Sequence, residues 1–495
     1  MTGPAIGRTA CVGGGVIGGG WVARFLLAGI DVDVFDPHPD AQRIVGEVVA
    51  NAERAYAMLT YAPLPPRGRL VFHDSLAEAV AAADWIQESV PERLDLKRGV
   101  LAEIDAAARP GAMIGSSTSG LLPTDLQAEM AHPERLFVAH PYNPVYLLPL
   151  VELVAGRQTD KAVIGRAQAT LQAIGMKGVV IDREIEAFVG DRLLEALWRE
   201  ALWLIKDDVC DVETLDDVIR YSFGLRWAQM GLFQTYRIAG GEAGMRHFLQ
   251  QFGPCLAWPW TKLTDVPEMD ADLVDKIAAQ SDAQADGLSI RELERLRDEN
   301  LVGILQSLKA GDGGKGWGAG RLLAEFEHEL QARAAPAPDA DGRLRLLSAT
   351  VSPAWIDYNG HMTEYRYLQL FGEATDAFLR LIGVDQAYVA GGSSYYTVES
   401  HLRHLGQAHA GQRLDVETVL LGHDAKRLHL AHTVTDEAGA ILATAEHMLL
   451  HVTGGRAAPA PAAVAAALDG VARRGAHRPR PDFAGRAVAM PPVKP

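Results

Sequence analysis

The chain has 495 residues, 48% of them hydrophobic and 22% charged, the balance of a globular protein of about two to four domains. Its 47 Lys and Arg against 63 Asp and Glu leave a net charge of −16, which argues against a nucleic-acid partner and suits a cationic substrate. Cys11, Cys210 and Cys255 are widely spaced and form no C-x-x-C, so a reducing compartment is expected, with neither a disulfide framework nor a metal site.

No charged-then-apolar leader opens the chain, and no apolar run of membrane-spanning length occurs. The expected location is the cytoplasm, with no membrane partner. Thr9 to Val12 reads as a strand, followed by a glycine cluster and a helical stretch from Trp21 to Leu27. Asp31 to Phe35 reads as a second strand, ending at Asp36. Further strands are predicted at Trp85–Val90, Ala112–Ser116, Leu136–His140 and Val179–Ile181. Strands alternating with helices over 1–184 predict an α/β domain with a parallel sheet covered on both faces.

The turn after the first strand is Gly13-Gly14-Gly15-Val16-Ile17-Gly18, a G-x-G-x-x-G run between strand and helix. That context makes it a dinucleotide loop of the Rossmann kind. Gly13 makes the tight turn. Gly15 lets backbone N–H groups, with those of Val16 and Ile17, approach a pyrophosphate at the helix N-terminus. Gly18 permits close helix–strand packing. Asp36 would accept hydrogen bonds from the adenosine ribose and repel a 2′-phosphate, so the expected cofactor is NAD rather than NADP.

Three further motifs come in order along the chain. They are Glu88-Ser-Val-Pro-Glu92 with Lys97, Ser116-Ser-Thr-Ser119-Gly, and His140-Pro-Tyr142-Asn143-Pro with Glu152 downstream. Oxidising a secondary alcohol needs a base near neutral pH, which histidine supplies, and a carboxylate can fix its tautomer. On these motifs residues 8–330 resemble the 3-hydroxyacyl-CoA dehydrogenase family, whose close relatives act on small free 3-hydroxy acids. The resemblance implies that His140 is the base and Glu152 its partner, that Ser119 binds the substrate oxygen, and that Asn143 holds substrate and nicotinamide. It places Glu92 and Lys97 against the cofactor. It also marks two departures. Asp191 stands in Phe-Val-Gly-Asp191-Arg192 where the family has Asn, and Ser117 stands where Asn is common.

From about 185 to 333 helical patterns dominate, beginning with an amphipathic stretch at Phe188–Lys206. This is expected to be an all-α substrate and dimerisation domain. Residues 221–260 hold nine aromatics: Tyr221, Phe223, Trp227, Phe233, Tyr236, Phe248, Phe252, Trp258 and Trp260. They read as helical core or interface, or as part of an aromatic box for a quaternary ammonium. Tyr142, Phe252 and Trp258 are the candidates for that box.

Residues 334–342 are an Ala/Pro linker. Beyond it a strand-like start (Leu344–Val351) precedes one helix (Thr363–Ile382) and alternating runs at Tyr395–Leu402, Arg413–Leu421, Leu428–Val434 and Ile441–Val452. This predicts an α+β domain over 343–455, with an Ala/Pro/Arg-rich tail over 456–495 expected to be disordered. The run Asp357-Tyr-Asn359-Gly-His361-Met362 before the helix resembles the hotdog-fold acyl-CoA thioesterases of the 4-hydroxybenzoyl-CoA type. Thioester cleavage needs a carboxylate as base or nucleophile and N–H donors for the oxyanion. Asp357 is the first candidate carboxylate and Glu399 the second, with His361 beside them. An Asx-turn is the structural alternative for Asp357.

The two halves together resemble fused dehydrogenase–thioesterases of carnitine degradation. That implies oxidation of L-carnitine to 3-dehydrocarnitine with NAD, and hydrolysis of betainyl-CoA to glycine betaine and CoA. Both parts imply a homodimer. The alternatives are a dehydrogenase for L-gulonate or 3-hydroxybutyryl-CoA, joined to a hotdog domain that hydrolyses another acyl-CoA or only binds and dimerises.

Overall fold

The computed structural model describes residues 6–239, 248–251, 261–262, 268, 270–284, 287–333 and 343–485. The chain divides into two compact units, residues 1–55 with 64–329 and residues 56–63 with 330–495. The expected linker at 334–342, and Phe252, Trp258, Trp260 and Cys255, lie outside the described residues.

The first unit is built on an eight-stranded sheet. Its strands are β1 (Arg8–Val12), β2 (Asp31–Phe35), β3 (Leu70–Phe72), β4 (Trp85–Glu88), β5 (Met113–Ser116), β6 (Leu136–Pro141), β7 (Leu150–Ala155) and β8 (Lys177–Ile181). They run in the order β3-β2-β1-β4-β5-β6-β7-β8. The chain reverses direction across the sheet between β1 and β4, the switch point at which doubly wound sheets open a crevice beyond their carboxyl ends. Strands β4, β5 and β6 are buried along their whole length, as expected of strands covered on both faces. Trp21, Phe25, Trp85 and Phe137 stack together between helix and sheet.

The sheet departs from expectation in two places. Strand β7 is an addition to the predicted set, and it pairs antiparallel with β6 rather than parallel. A short β3 also joins the far edge.

The helical part of this unit begins at Gly190–Lys206, two residues later than predicted. Leu193, Leu194, Leu197 and Trp198 on this helix are exposed, forming an apolar stripe at i, i+1, i+4 and i+5. The helix Ile290–Ala310 opens with a full capping box between Ser289 and Glu292. It places Asp298, fully buried, on the Tyr146 hydroxyl at 2.7 Å. No helix among the described residues is long and apolar enough to cross a membrane.

The second unit wraps one helix, Glu364–Leu381, in a curled antiparallel sheet. Its strands are β9 (Leu344–Thr350), β10 (Ser393–His404), β11 (Arg413–His423), β12 (Arg427–Asp436), β13 (Ile441–Thr453) and β14 (Arg456–Ala457). The main path is β10-β13-β12-β11-β9, with β14 against β13. Tyr367, Leu370, Phe371 and Ala374 recur at helical spacing and pack on Leu414, Val416, Val434, Ala443 and Ala445, which recur at strand spacing. This is the hotdog arrangement.

The tail departs from expectation. Instead of lacking structure, residues 456–485 add β14 and a helix, Ala462–Gly475. Val464, Leu468 and Val471, again at helical spacing, bury themselves against Leu428, Leu430, Leu449 and Phe378. Alanine-rich composition with an apolar residue every third or fourth position suffices for a helix once a surface is there to cover it.

Candidate active site

The glycine loop leaves β1 at Gly13, whose φ of +98° only glycine adopts without strain. A Cβ on Gly13 would also meet the Ser89 carbonyl at 2.6 Å, and one on Gly18 would fall 1.8 Å from the Gly13 carbonyl. Both glycines are therefore required by the crossing of strand and helix. Around Gly15 there is open space. Gly15 and Val16 are exposed at the start of the helix Val16–Leu27, which has no side-chain cap. Its first N–H groups are free to receive an anion. Asp36 ends β2 and is fixed by accepting from Gly14 N at 2.5 Å and His38 N at 2.7 Å. The cradle fits a dinucleotide with unphosphorylated ribose.

At the carboxyl end of β4 lie the expected cofactor contacts Glu92 and Lys97. Lys97 is buried, and its ammonium donates to Glu88 Oε1 at 2.8 Å and to the Val90 carbonyl at 2.9 Å, with Glu92 at 3.4 Å. Glu88 is fully buried and also accepts from Ser116 Oγ at 2.5 Å and Val90 N at 2.7 Å. Glu92 accepts from the Thr118 hydroxyl, Ser119 N and Gly120 N. Glu88, Ser116 and Thr118 thus form a buried polar frame that locks the β4 and β5 loops together. The sequence reading passed over this role for Glu88, although a carboxylate nine residues before a lysine at the end of a strand was the available signal.

His140 and Glu152 are directly opposite residues of the β6–β7 pair. His140 Nδ1 lies 2.9 Å from Glu152 Oε2, and both side chains are about 95% buried. Glu152 accepts three further hydrogen bonds, from Tyr142 OH at 3.0 Å, Val189 N at 3.1 Å and Gly190 N at 3.0 Å. Burial pushes its carboxyl upward. The bonds from His140, Gly190, Tyr142 and Val189 outweigh that and hold it below the ordinary carboxylate range. A carboxylate held ionised against Nδ1 keeps that nitrogen protonated and leaves Nε2 as the acceptor.

Nε2 points toward Asp191, whose Oδ2 is 3.7 Å away in the first turn of the Gly190–Lys206 helix. Asp191 is raised, first by burial; His140 opposes this, while Glu152, Glu195 and Glu92 add to it. The imidazole is walled by Tyr142 at 5.0 Å and Phe188 at 5.7 Å between ring centroids. Phe188, fully buried at φ +47°, and Gly190 were not singled out by sequence. A Cβ on Gly190 would fall 1.5 Å from the Tyr142 hydroxyl. The Tyr142 hydroxyl is pushed up by burial and by Glu152.

Ser119 and Asn143 are exposed just beyond β5 and β6, at the same sheet edge as His140 and the glycine loop. Of the aromatics at 221–260, Phe223 packs on Trp227 and Tyr236 stacks on Phe248, each at 4.6 Å. Tyr221 and Phe233 are exposed.

In the second unit Asp357 lies in a tight loop closed by the Ile356–Met362 bridge. Its Oδ1 accepts from Asn359 N at 2.8 Å, an Asx-turn. Its backbone N–H donates to the His361 carbonyl at 2.9 Å. The Asx-turn orients the carboxylate and leaves Oδ2 without a donor among the described residues. The loop leads into the Glu364–Leu381 helix, whose start is pinned by Thr363 N and Oγ1 donating to the Trp355 carbonyl. The ring of His361 lies 5.0 Å from that of His409. Glu399 is exposed on the edge strand β10, where a bulge between Thr397 and Glu399 interrupts the register.

Comparison with known proteins matches three stretches of the chain. Residues 8–185 match the family model of the 3-hydroxyacyl-CoA dehydrogenase NAD binding domain, and 188–266 match that of its C-terminal domain. Residues 351–468 match the thioesterase-like superfamily. The chain is 68% identical to the L-carnitine dehydrogenase/betainyl-CoA thioesterase of Rhizobium meliloti (strain 1021), over 98% of this chain and 99% of that one. It is 50% identical to the L-carnitine dehydrogenase of Oceanobacillus iheyensis, which spans 60% of this chain and is itself 97% covered. Among solved structures, an NAD-dependent 5-formyl-3-hydroxy-2-methylpyridine-4-carboxylic acid 5-dehydrogenase is 27% identical, with a TM-score of 0.53 over 62% of this chain and 99% of that one.

Proposed function

The chain belongs to the L-carnitine dehydrogenase/betainyl-CoA thioesterase family, and from that membership we infer a bifunctional enzyme of carnitine degradation. Its first unit oxidises L-carnitine to 3-dehydrocarnitine with NAD, and its second hydrolyses betainyl-CoA to glycine betaine and CoA. The observation that carries the first activity is the buried His140–Glu152 pair with Nε2 turned away from the carboxylate.

The glycine loop and Asp36 would hold NAD, which when bound supplies the hydride acceptor. His140 takes the hydroxyl proton at Nε2. Glu152 stabilises the imidazolium that forms and keeps the ring oriented. Ser119 and Asn143 would hold the substrate oxygen and carboxylate side. Glu92 and Lys97 would meet the cofactor's ribose and nicotinamide side, Glu92 also tying the β5 loop and Lys97 being held by its buried counter-charge Glu88. Asp191 beside Nε2, itself within the field of Glu195 and Glu92, suits a trimethylammonium substrate, and Tyr142 offers it a ring. Phe252 and Trp258 remain candidates for the rest of that box.

In the second unit, Asp357 Oδ2 is the proposed nucleophile or base. The first N–H groups of the Glu364–Leu381 helix are the oxyanion donors. Glu399 is the alternative carboxylate. A homodimer is supported by the exposed Leu193, Leu194, Leu197 and Trp198 and by the edge strand β10, which leaves Tyr396 and Val398 exposed. The free Cys11 and Cys210 fit a cytoplasmic setting.

The test is NADH formation with L-carnitine, D-carnitine, L-gulonate and 3-hydroxybutyryl-CoA side by side, together with CoA release from betainyl-CoA. Turnover with L-carnitine and release from betainyl-CoA are expected. NADH only with L-gulonate or 3-hydroxybutyryl-CoA would replace the substrate while leaving the site in place.

A further inference from the structure

We propose that the cleft between the end of β11 and the C-terminal helix Ala462–Gly475 binds the phosphate-bearing nucleotide end of the acyl-CoA substrate, an inference that rests on the thioesterase reading above. The cleft has a volume of about 260 Å³. Its floor is apolar, formed by Leu420 and Val471, and its rim carries Arg474, Arg478 and Arg480.

Charge distinguishes this place from the rest of the protein. The chain is acidic overall, at −16, yet residues 471–485 contain four arginines (Arg473, Arg474, Arg478 and Arg480) against one aspartate (Asp482), a local excess of +3. Arg478 donates to Glu417 at 2.6 Å, and Arg343 approaches the other oxygen of the same carboxylate at 3.6 Å. One carboxylate is therefore shared by two guanidinium groups, and the rim stays positive. Arg474 and Arg480 are exposed and have no carboxylate partner among the described residues.

A solvated basic face needs neither a cleft nor an apolar floor. An adenine nucleotide needs both, together with planar cationic donors for its phosphates. Coenzyme A carries a diphosphate and a ribose phosphate at the end remote from the thioester. Binding energy from that remote end serves to hold the acyl group at the reacting carboxylate. The segment that builds the cleft is the one whose composition suggested disorder. The helix is buried on one face by Val464, Leu468 and Val471, and its last turn carries Arg474 out to the rim. Arginine near a helix C-terminus is also favoured by the helix dipole, so the cations are held without a carboxylate to neutralise them.

The experiment compares the full-length protein with its Arg474→Gln/Arg480→Gln variant on betainyl-CoA and on the betainyl thioester of N-acetylcysteamine, which has no phosphates. Loss of arginine–phosphate pairs should raise KM for the CoA ester by about tenfold or more. It should flatten the rise of KM with salt and leave the truncated thioester and NADH formation as in wild type. An Arg474→Lys/Arg480→Lys variant, which keeps the charge, should recover most of the loss. An unchanged KM for betainyl-CoA in the Gln variant would overturn the proposal while leaving the thioesterase standing. If wild type cleaves no CoA thioester, the thioesterase reading fails instead. Calorimetric titration with adenosine 3′,5′-bisphosphate then decides the cleft: weaker binding by the Gln variant supports it, and equal binding or none by wild type rejects it.

Discussion

His140 and Glu152 are opposite residues in the antiparallel pairing of β6 and β7, so backbone register itself sets Nδ1 2.9 Å from Oε2. Four donors converge on the Glu152 carboxylate, two of them backbone N–H groups from Val189 and Gly190 at the entry to the Gly190–Lys206 helix. The same carboxylate that orients the histidine therefore also anchors the helical domain's first helix on the nucleotide-binding sheet. Glu152→Gln keeps the shape but removes the charge that favours the imidazolium. NADH formation from L-carnitine should fall by about 10²–10⁴-fold. NAD binding, followed by protein fluorescence, and thioesterase turnover should persist. Near-normal NADH formation would exclude Glu152 as the partner of the base.

Asp191 stands where the resemblance to the 3-hydroxyacyl-CoA dehydrogenases implies Asn, and its Oδ2 lies 3.7 Å from His140 Nε2. Its carboxyl is raised, first by burial, and when ionised it puts a negative charge beside the base. Asp191→Asn removes that charge and should raise KM for the cationic L-carnitine by about 3–10-fold while NAD binding is unchanged. An unchanged KM would mean that Asp191 is neutral or screened in the working enzyme.

Gly190 is constrained by packing rather than by φ. A Cβ there would overlap the Tyr142 hydroxyl. Gly190→Ala should displace Tyr142 from Glu152 and lower dehydrogenase turnover while the thioesterase is untouched. Adding Tyr142→Phe removes the overlapping oxygen and should recover part of the folded stability, read as the thermal midpoint of the full chain. A double variant no more stable than Gly190→Ala would place the strain elsewhere.

Much of the frame was legible because it rests on local pattern. Asp31–Phe35 was placed to the residue, and the helix of the hotdog unit to within one residue at each end. Strand β7 was not. Its run Leu-Val-Glu-Leu-Val-Ala is short and carries the charged Glu152 in mid-strand, and only the folded chain brings together the His140, Tyr142, Val189 and Gly190 donors that make that charge tolerable there. The burial of Lys97 against Glu88 was not legible for a related reason. A lysine after a strand gives no sign in sequence of the carboxylate that fixes it. The helix over 462–475 is tertiary in origin, since alanine-rich sequence folds only against the apolar surface that Val464, Leu468 and Val471 cover. The glycine loop was legible from its spacing alone, although one of its two tight contacts, Gly13 on the Ser89 carbonyl, is with the chain just beyond β4.

The Asx-turn at Asp357 commits one carboxylate oxygen to Asn359 and leaves the other for chemistry. Asp357→Asn preserves the turn, since an amide oxygen also accepts the Asn359 N–H, and removes the charge. CoA release from betainyl-CoA should then fall by about 10²-fold or more while KM changes little. Glu399→Gln, on the exposed edge strand, should retain turnover. The reverse pattern would transfer the role to Glu399.

In the hotdog core His432 and His447 lie side by side, their ring centroids 5.2 Å apart. His432 is held between the Thr375 and Thr418 hydroxyls, each at 3.0 Å, and stacks on Phe371. His447 has Ser400 Oγ at 2.7 Å from Nδ1, and its buried Nε2 has no hydrogen-bond partner among the described residues. Burial pushes His447 down to about 4, and burial with the neighbouring His447 pushes His432 well below its ordinary value. Both are thus neutral in the folded state, while the unfolded chain takes up protons below about 6.5. Between those values the unfolded state binds more protons, so stability is present above pH about 6.5 and is lost as pH falls toward 4. For His447 alone the loss is roughly 3 kcal/mol across that window. Scanning calorimetry of the full chain should show the thioesterase transition falling by about 10 °C between neutral pH and pH about 4.5. His447→Gln should flatten that fall, whatever its effect on the neutral midpoint. A transition that holds its midpoint over this range would mean that the two rings are not buried as neutral groups.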